Sequence, residues 1–306
     1  MPSAAEPPLP RGKTSIVLHS GAVYAKRSAM TGLIVAGSRK QDGYRSSMYP
    51  TKSALVYFSP TRGTKAVLSA IAEGLDLPCT HIDMTLPAHR AQNREFGADT
   101  LIVLGFPVYY GRVPLIREEI LPRLHGEAQY VLPVVVYGNR AYEDSLRELG
   151  DLCRQQGYAL AAAAAFIAEH SYSVEMGAKR PNGEDKALAQ HFGTQVMISL
   201  KAGKTLNCAA LPGNVPYRPY GPKPPIVPET NEACIACNQC VEQCPTEAIS
   251  REDRTTDAQR CILCAACIKQ CPCGAKFIGS VPMRERIRAM ETANRMMKQP
   301  QLFLPA

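Results

Sequence analysis

One cysteine phrase, C-x2-C-x2-C-x3-C-P, is written twice near the C-terminal end and constrains this chain more than any other stretch. Its first copy places Cys234, Cys237, Cys240 and Cys244 before Pro245, and its second places Cys261, Cys264, Cys267 and Cys271 before Pro272. Three thiolates at three-residue spacing can wrap one corner of a small cube, while the fourth, turned away by the following proline, reaches elsewhere. Structural zinc prefers two separated pairs with a longer gap between them, and disulfides call for a secreted chain. The spacing therefore favours iron–sulfur chemistry over both.

Residues 231–278 resemble bacterial two-cluster ferredoxins. In that family the fourth cysteine of each phrase ligates the other cluster. The resemblance implies one 4Fe-4S cluster on Cys234, Cys237, Cys240 and Cys271, a second on Cys261, Cys264, Cys267 and Cys244, and low-potential one-electron transfer. Ile235, Val241, Ile249, Ile262 and Ile268 are expected to screen the clusters from water. Such a module has few large apolar residues, so its clusters must supply much of its folding energy. Of the 12 cysteines, Cys79, Cys153, Cys208 and Cys273 are left over. The first three read as small buried or neutral residues, and Cys273 as a spare thiol beside a cluster rather than a swapped ligand. Twelve cysteines without secretory architecture indicate a reducing, cytoplasmic setting.

A chain of 306 residues is long for one domain, and from Ser53 the sequence turns into an alternation of apolar strands and helices. Strands are expected at 54–58, 80–83, 99–105, 129–137 and 159–168, and helices at 64–75, 142–156 and 185–200. Five such strands with intervening helices mean an α/β, doubly wound parallel sheet, apolar on both faces. Ligands bind such sheets beyond the carboxyl ends of the strands. The first of those loops, Ser59 to Lys65, follows a strand and opens a helix, bringing hydroxyls and free N–H groups to a helix N-terminus. That is a phosphate seat, although Ser, Thr and Pro there are also ordinary capping residues. It lacks both the P-loop and the G-x-G-x-x-G patterns. The second loop carries Pro107, Val108, Tyr109, Tyr110 and Gly111, and the third Tyr137, Gly138, Asn139 and Tyr142. Aromatic residues flanked by glycine at neighbouring strand ends can lie against a planar ring, whereas any one of them alone reads as packing.

With these loops the chain resembles flavodoxin over residues 53–200. Ser59, Thr61 and Thr64 match the hydroxyl positions of that family's phosphate loop, but Arg62 stands where glycine is usual and Gly63 comes one later. The resemblance implies FMN, its phosphate at Ser59, Thr61, Arg62, Gly63 and Thr64 and its ring between residues 107–111 and 137–142, with Tyr109 and Tyr142 as ring contacts. The order of the two modules, over residues 50–280, is similar to EFR-type fused flavodoxin–ferredoxin proteins. The expected domains are a leader or mis-called start (1–47), a flavodoxin-like FMN domain (48–202), a Pro-rich linker (203–230), the ferredoxin domain (231–278, small α+β) and a C-terminal helix and tail (279–306).

Residues 1–47 carry seven Lys/Arg against Glu6 and Asp42, hence +5 of the net +8, and the remaining +3 is too little to argue for nucleic acid. A true start at Met48 or a disordered leader is expected there, rather than a targeting segment. No window reaches the length of a membrane span. The linker holds seven prolines and reads either as a semi-rigid strap or as a passive spacer. The tail, 282–298, puts Met283, Ile287, Met290 and Met297 on one helical face, which favours packing on the protein itself over an acidic partner or membrane surface. The dispersed histidines read as incidental. The leading expectation is an electron conduit joining two 4Fe-4S clusters to FMN, with redox proteins as donor and acceptor. The alternatives are a flavin-dependent reductase of a quinone or corrinoid and a redox sensor without flavin.

Overall fold

The computed structural model describes residues 49–306, so the expectations for the leader and for Met48 lie outside the described residues. The central sheet is built from β1 (Lys52–Tyr57), β2 (Cys79–Asp83), β3 (Thr100–Pro107), β4 (Tyr130–Tyr137) and β5 (Ala163–Ile167), all parallel. A sixth strand, β6 (Gln301–Phe303), pairs antiparallel with β5, with Leu302 opposite Ala164. The five parallel strands lie in the order 2-1-3-4-5, the flavodoxin-like order, whose ligand crevice falls at the carboxyl ends of β1 and β3.

The strands read as unbroken apolar runs because helices cover both faces. On one face α1 (Gly63–Leu75) and α3 (Gly183–Lys201) bury Leu68, Ile71, Phe192 and Val196 against Leu55, Leu101, Leu132 and Phe166. These two helices meet backbone to backbone. A methyl group on Gly74 would lie 1.7 Å from the Gln190 carbonyl oxygen, and one on Gly193 would lie 2.3 Å from that of Ile71. On the other face α2 (Ser145–Gln155) packs Leu146 and Leu149 on Val131, Val135 and Ala163.

The structure departs from the expected elements at three places. The strand expected at 159–168 is interrupted: Ala159–Leu160 pairs with β4, the ladder lapses at Ala161 and Ala162, and β5 begins at Ala163. There Leu206, returning from α3, bonds to the Leu160 carbonyl. The helix expected from Tyr142 starts only at Ser145, because Asn139 and Glu143 take left-handed backbone angles, φ 59° and 46°. The tail helix, here α6 (Val281–Ala293), stops before residue 298; Ile287 on it is buried, whereas Met297 lies beyond it and is exposed.

The Pro-rich segment is a strap bonded to the sheet domain. Leu206, Cys208 and Leu211 enter its core, Asp144 accepts from the backbone N–H groups of Asn214 and Arg218, and Tyr217 donates to Asp151. Of the spare cysteines, Cys79 is exposed rather than buried, while Cys153 and Cys208 are buried in the core. Among the described residues no helix is long and apolar enough to cross a membrane.

Candidate functional site

Both cysteine phrases fold alike. Ala236 and Asn238 in the first, and Leu263 and Ala265 at matching places in the second, take left-handed backbone angles between 55° and 63°. These residues turn the chain so that the flanking thiols point one way, a conformation that costs a side chain-bearing residue about 1 kcal/mol. Each phrase then enters a single helical turn, α4 (Gln239–Glu242) or α5 (Ala266–Lys269). In both, the fourth sulfur accepts an N–H four residues on: Ala248 to Cys244 and Ala275 to Cys271, each at 3.2 Å.

The thiols gather into two cages, and each cage draws on both phrases. Cys234, Cys237 and Cys240 share one with Cys271, while Cys261, Cys264 and Cys267 share the other with Cys244. Among the described residues no three Cys, His, Asp or Glu side chains converge tightly enough for a single metal ion. Four thiols around a wider space suit a polynuclear cluster better than zinc. Cys273 lines the first cage too, its sulfur 3.7 Å from that of Cys271.

The cages differ in exposure. Cys237 of the first reaches solvent, whereas all four thiols of the second are buried. Burial raises the thiols of Cys240 and Cys267, the latter to about 12, and the Lys276 ammonium is the leading influence in the opposite direction. Lys276 is itself buried, donating to the Arg254 carbonyl at 2.6 Å and to Thr256 at 3.2 Å, with no carboxylate paired to it among the described residues. Replacing Lys276 with Met is expected to lower the reduction potential of a bound cluster by roughly 70–100 mV, the effect of a unit charge at ~7–10 Å through an effective dielectric of about 20. Spectroelectrochemical titration checks this, and an unmoved potential would exclude Lys276 as a tuning charge.

The second cage lies against the carboxyl edge of the sheet. Ile262 packs on the sheet's core, Tyr172 donates to the Leu263 carbonyl, and Lys269 reaches Glu169 and the Ser173 carbonyl. Buried Arg90, held by Glu119 and by the Met84 and Thr85 carbonyls, donates to the carbonyl of Pro245 at 2.7 Å, one residue after Cys244. Neither Arg90 nor Tyr172 is marked by any sequence pattern. His170, beside Tyr172, accepts that residue's N–H on Nδ1, and burial lowers its pKa to about 4, so it is neutral.

The loop 59–65 has the elements of a phosphate seat. Among the described residues no acceptor takes the N–H of Thr61, Gly63 or Thr64, while Ser59 caps the helix by accepting from Lys65 at 3.0 Å. A space of about 300 Å³ opens beside it, lined by Ser59, Arg62, Lys65 and Thr85. Arg62, at φ 68°, turns to the other module, donating to Gln270 at 2.9 Å, and Gln270 donates back to the Pro60 carbonyl.

The residues expected around a flavin ring make these contacts. Tyr142 leans on Tyr137, their ring centres 5.4 Å apart, and donates to Gln301. Asn139 is fully buried: its amide donates to the carbonyls of Asn294 and Met296, and its oxygen accepts the N–H of Lys298. Gly138 abuts His170, Gly111 is bonded to Asp144 across the two loops, and Pro107 and Val108 continue the sheet edge, with Val108 bonded to Val136. Tyr109 is half-buried and packs against the core of the sheet. The phosphate part of the expected FMN site therefore fits this structure. In the aromatic part, the tail bonds to Asn139 and to the Tyr142 hydroxyl.

Comparison with known proteins agrees with the cysteine geometry. Residues 228–250 match the family described as 4Fe-4S binding domain. This chain joins a flavodoxin-like fold to a 4Fe-4S binding domain. Among solved structures, a flavodoxin from the domain Archaea aligns at 15% identity over 49% of this chain and 99% of its own, with a TM-score of 0.35. A flavodoxin, WrbA-like protein from Agrobacterium tumefaciens aligns at 15% identity over 50% and 99%, TM-score 0.31. Rubredoxin oxygen:oxidoreductase from the anaerobe Desulfovibrio gigas aligns at 13% over 54% of this chain and 38% of its own, TM-score 0.37. The strand order, rather than these distant likenesses, carries the assignment of the flavodoxin-like fold. No curated protein matches the sequence.

Proposed function

We propose that the protein is an electron carrier holding two 4Fe-4S clusters, one on Cys234, Cys237, Cys240 and Cys271 and the other on Cys261, Cys264, Cys267 and Cys244. The observation that carries this reading is the composition of the cages, each completed by the fourth cysteine of the opposite phrase. Clusters of this kind carry one electron each. The chain's own residues would set the direction of exchange. Cys237 brings the first cage to the surface, where a redox partner protein can approach, while Ile262, Tyr172 and Pro245 hold the second cage against the sheet and out of water. Eight available thiolates require a reducing compartment, which suits a cytoplasmic protein.

A second reading, with FMN as electron partner, is favoured by the free N–H groups of Thr61, Gly63 and Thr64. Beside the sheet's ligand crevice the tail bonds to Asn139 and Tyr142 through Asn294, Met296, Lys298 and Gln301. Protein isolated without oxygen tests both. About eight irons per chain and the EPR signature of two interacting clusters are expected. About four irons or fewer would overturn the two-cluster reading, and stoichiometric bound FMN would establish the second reading beside the first.

A further inference from the structure

A groove of about 790 Å³ runs between the end of β5, the helical turn α5 and helix α6. Its volume lies within the 300–1,000 Å³ range of small-molecule sites. Tyr172, Val174, Ile268, Phe277 and Ile287 form its apolar wall. Tyr172 and Ile268 also pack against the buried cluster that contains Cys244, Cys261 and Cys267, so the groove shares side chains with the surroundings of the second cage.

The charged rim is not balanced. Lys269, Arg284 and Arg288 face the groove with Glu169 and Glu291. Lys269 is neutralised by Glu169, Glu291 accepts from the Ser173 hydroxyl, and Arg284 spends its donors on the Ile278 and Gly279 carbonyls without losing its charge. Among the described residues the Arg288 guanidinium has neither a hydrogen-bond nor an ion-pair partner. Arg288 thus leaves five N–H donors at the mouth of an apolar slot, an arrangement suited to a ring that carries one acidic group.

The geometry points to a binding site for a planar aromatic anion in this groove: the ring between Tyr172, Phe277, Ile268 and Ile287, its acidic group on Arg288, against side chains shared with the surroundings of the second cage. This goes beyond the cluster assignment and is separate from the loop 59–64. The same chemistry is offered by a quinone bearing an acidic substituent and by a flavin nucleotide.

The full chain, isolated without oxygen and with its iron determined on the same sample, would be titrated calorimetrically with anthraquinone-2-sulfonate and, in a second arm, with FMN. Saturable binding near one probe per chain is expected in at least one arm, and the arm that binds identifies the source. Arg288→Glu should weaken it about tenfold or more. Val174→Trp, at a position 67% exposed and therefore tolerant, should fill the slot and abolish it. Arg251→Glu, on the far loop of the ferredoxin-like module, should leave it unchanged. Absence of binding at millimolar probe in both arms overturns the proposal. So does binding that survives Val174→Trp, or FMN binding that Thr64→Val removes while Val174→Trp does not. Because iron is measured independently, a chain with full iron and no probe bound refutes the groove without touching the clusters.

Discussion

Replacing Cys244 with alanine is expected to empty the second cage while leaving the first loaded, although Cys244 belongs to the first phrase. Iron should fall from about eight to about four per chain, with the loss of one cluster's EPR signal. The physical reason is that the cage of Cys261, Cys264 and Cys267 has Cys244 as its fourth wall. Three thiols at a buried site leave one iron of the cluster without a protein ligand. The converse variant must allow for Cys273, whose sulfur is 3.7 Å from that of Cys271 and which lines the same cage. Cys271→Ala alone is therefore expected to lose less iron than Cys271→Ala with Cys273→Ala. If Cys244→Ala instead removed the first cluster and spared the second, each phrase would serve itself and the crossed assignment would be wrong.

Glu148→Ala is expected to destabilise the folded chain by about 3–5 kcal/mol, the usual consequence of leaving one partner of a buried ion pair alone. Glu148 is 1% exposed and Arg112 is 8% exposed. They form a two-pronged pair at 2.7 and 2.8 Å, and Glu148 also accepts the Val113 N–H at 2.9 Å. The Arg112 guanidinium lies 4.9 Å from the Tyr217 ring centre and 4.4 Å from that of Tyr220, and donates to the Arg218 carbonyl, so one carboxylate organises both the loop after β3 and the strap. Denaturant unfolding read by circular dichroism should show the loss, with Glu148→Gln costing less because it keeps an acceptor. A change below about 1 kcal/mol, the range of an exposed ion pair, would mean that the strap holds without this pair.

The sheet was legible because its strands are apolar on both faces and short, so residues 54–58, 99–105 and 129–137 admit few other conformations. The strand broken at Ala161 was not, since a run of alanines carries no sign of where a ladder lapses. The outer edge of β5 gave no hint of its partner either: β6 lies more than 130 residues later in a tail whose composition suggested only a helix. The phosphate loop could be read from its hydroxyls, yet the direction of Arg62, towards Gln270 instead of a ligand, depends on a residue 208 positions away. Tyr142 and Asn139 resemble ring contacts in sequence, and their bonds to the tail, through Gln301, Asn294, Met296 and Lys298, leave no sign there.

By itself the sequence determined the two cysteine phrases and the strand–helix alternation, since each is a matter of spacing and periodicity within a few residues. The tertiary structure alone decided which cage is buried, how Arg90 and Tyr172 fasten it to the sheet, and what covers the loop after β4. Those outcomes rest on single hydrogen bonds and on packing between segments far apart in the chain, and such contacts leave no period in the sequence.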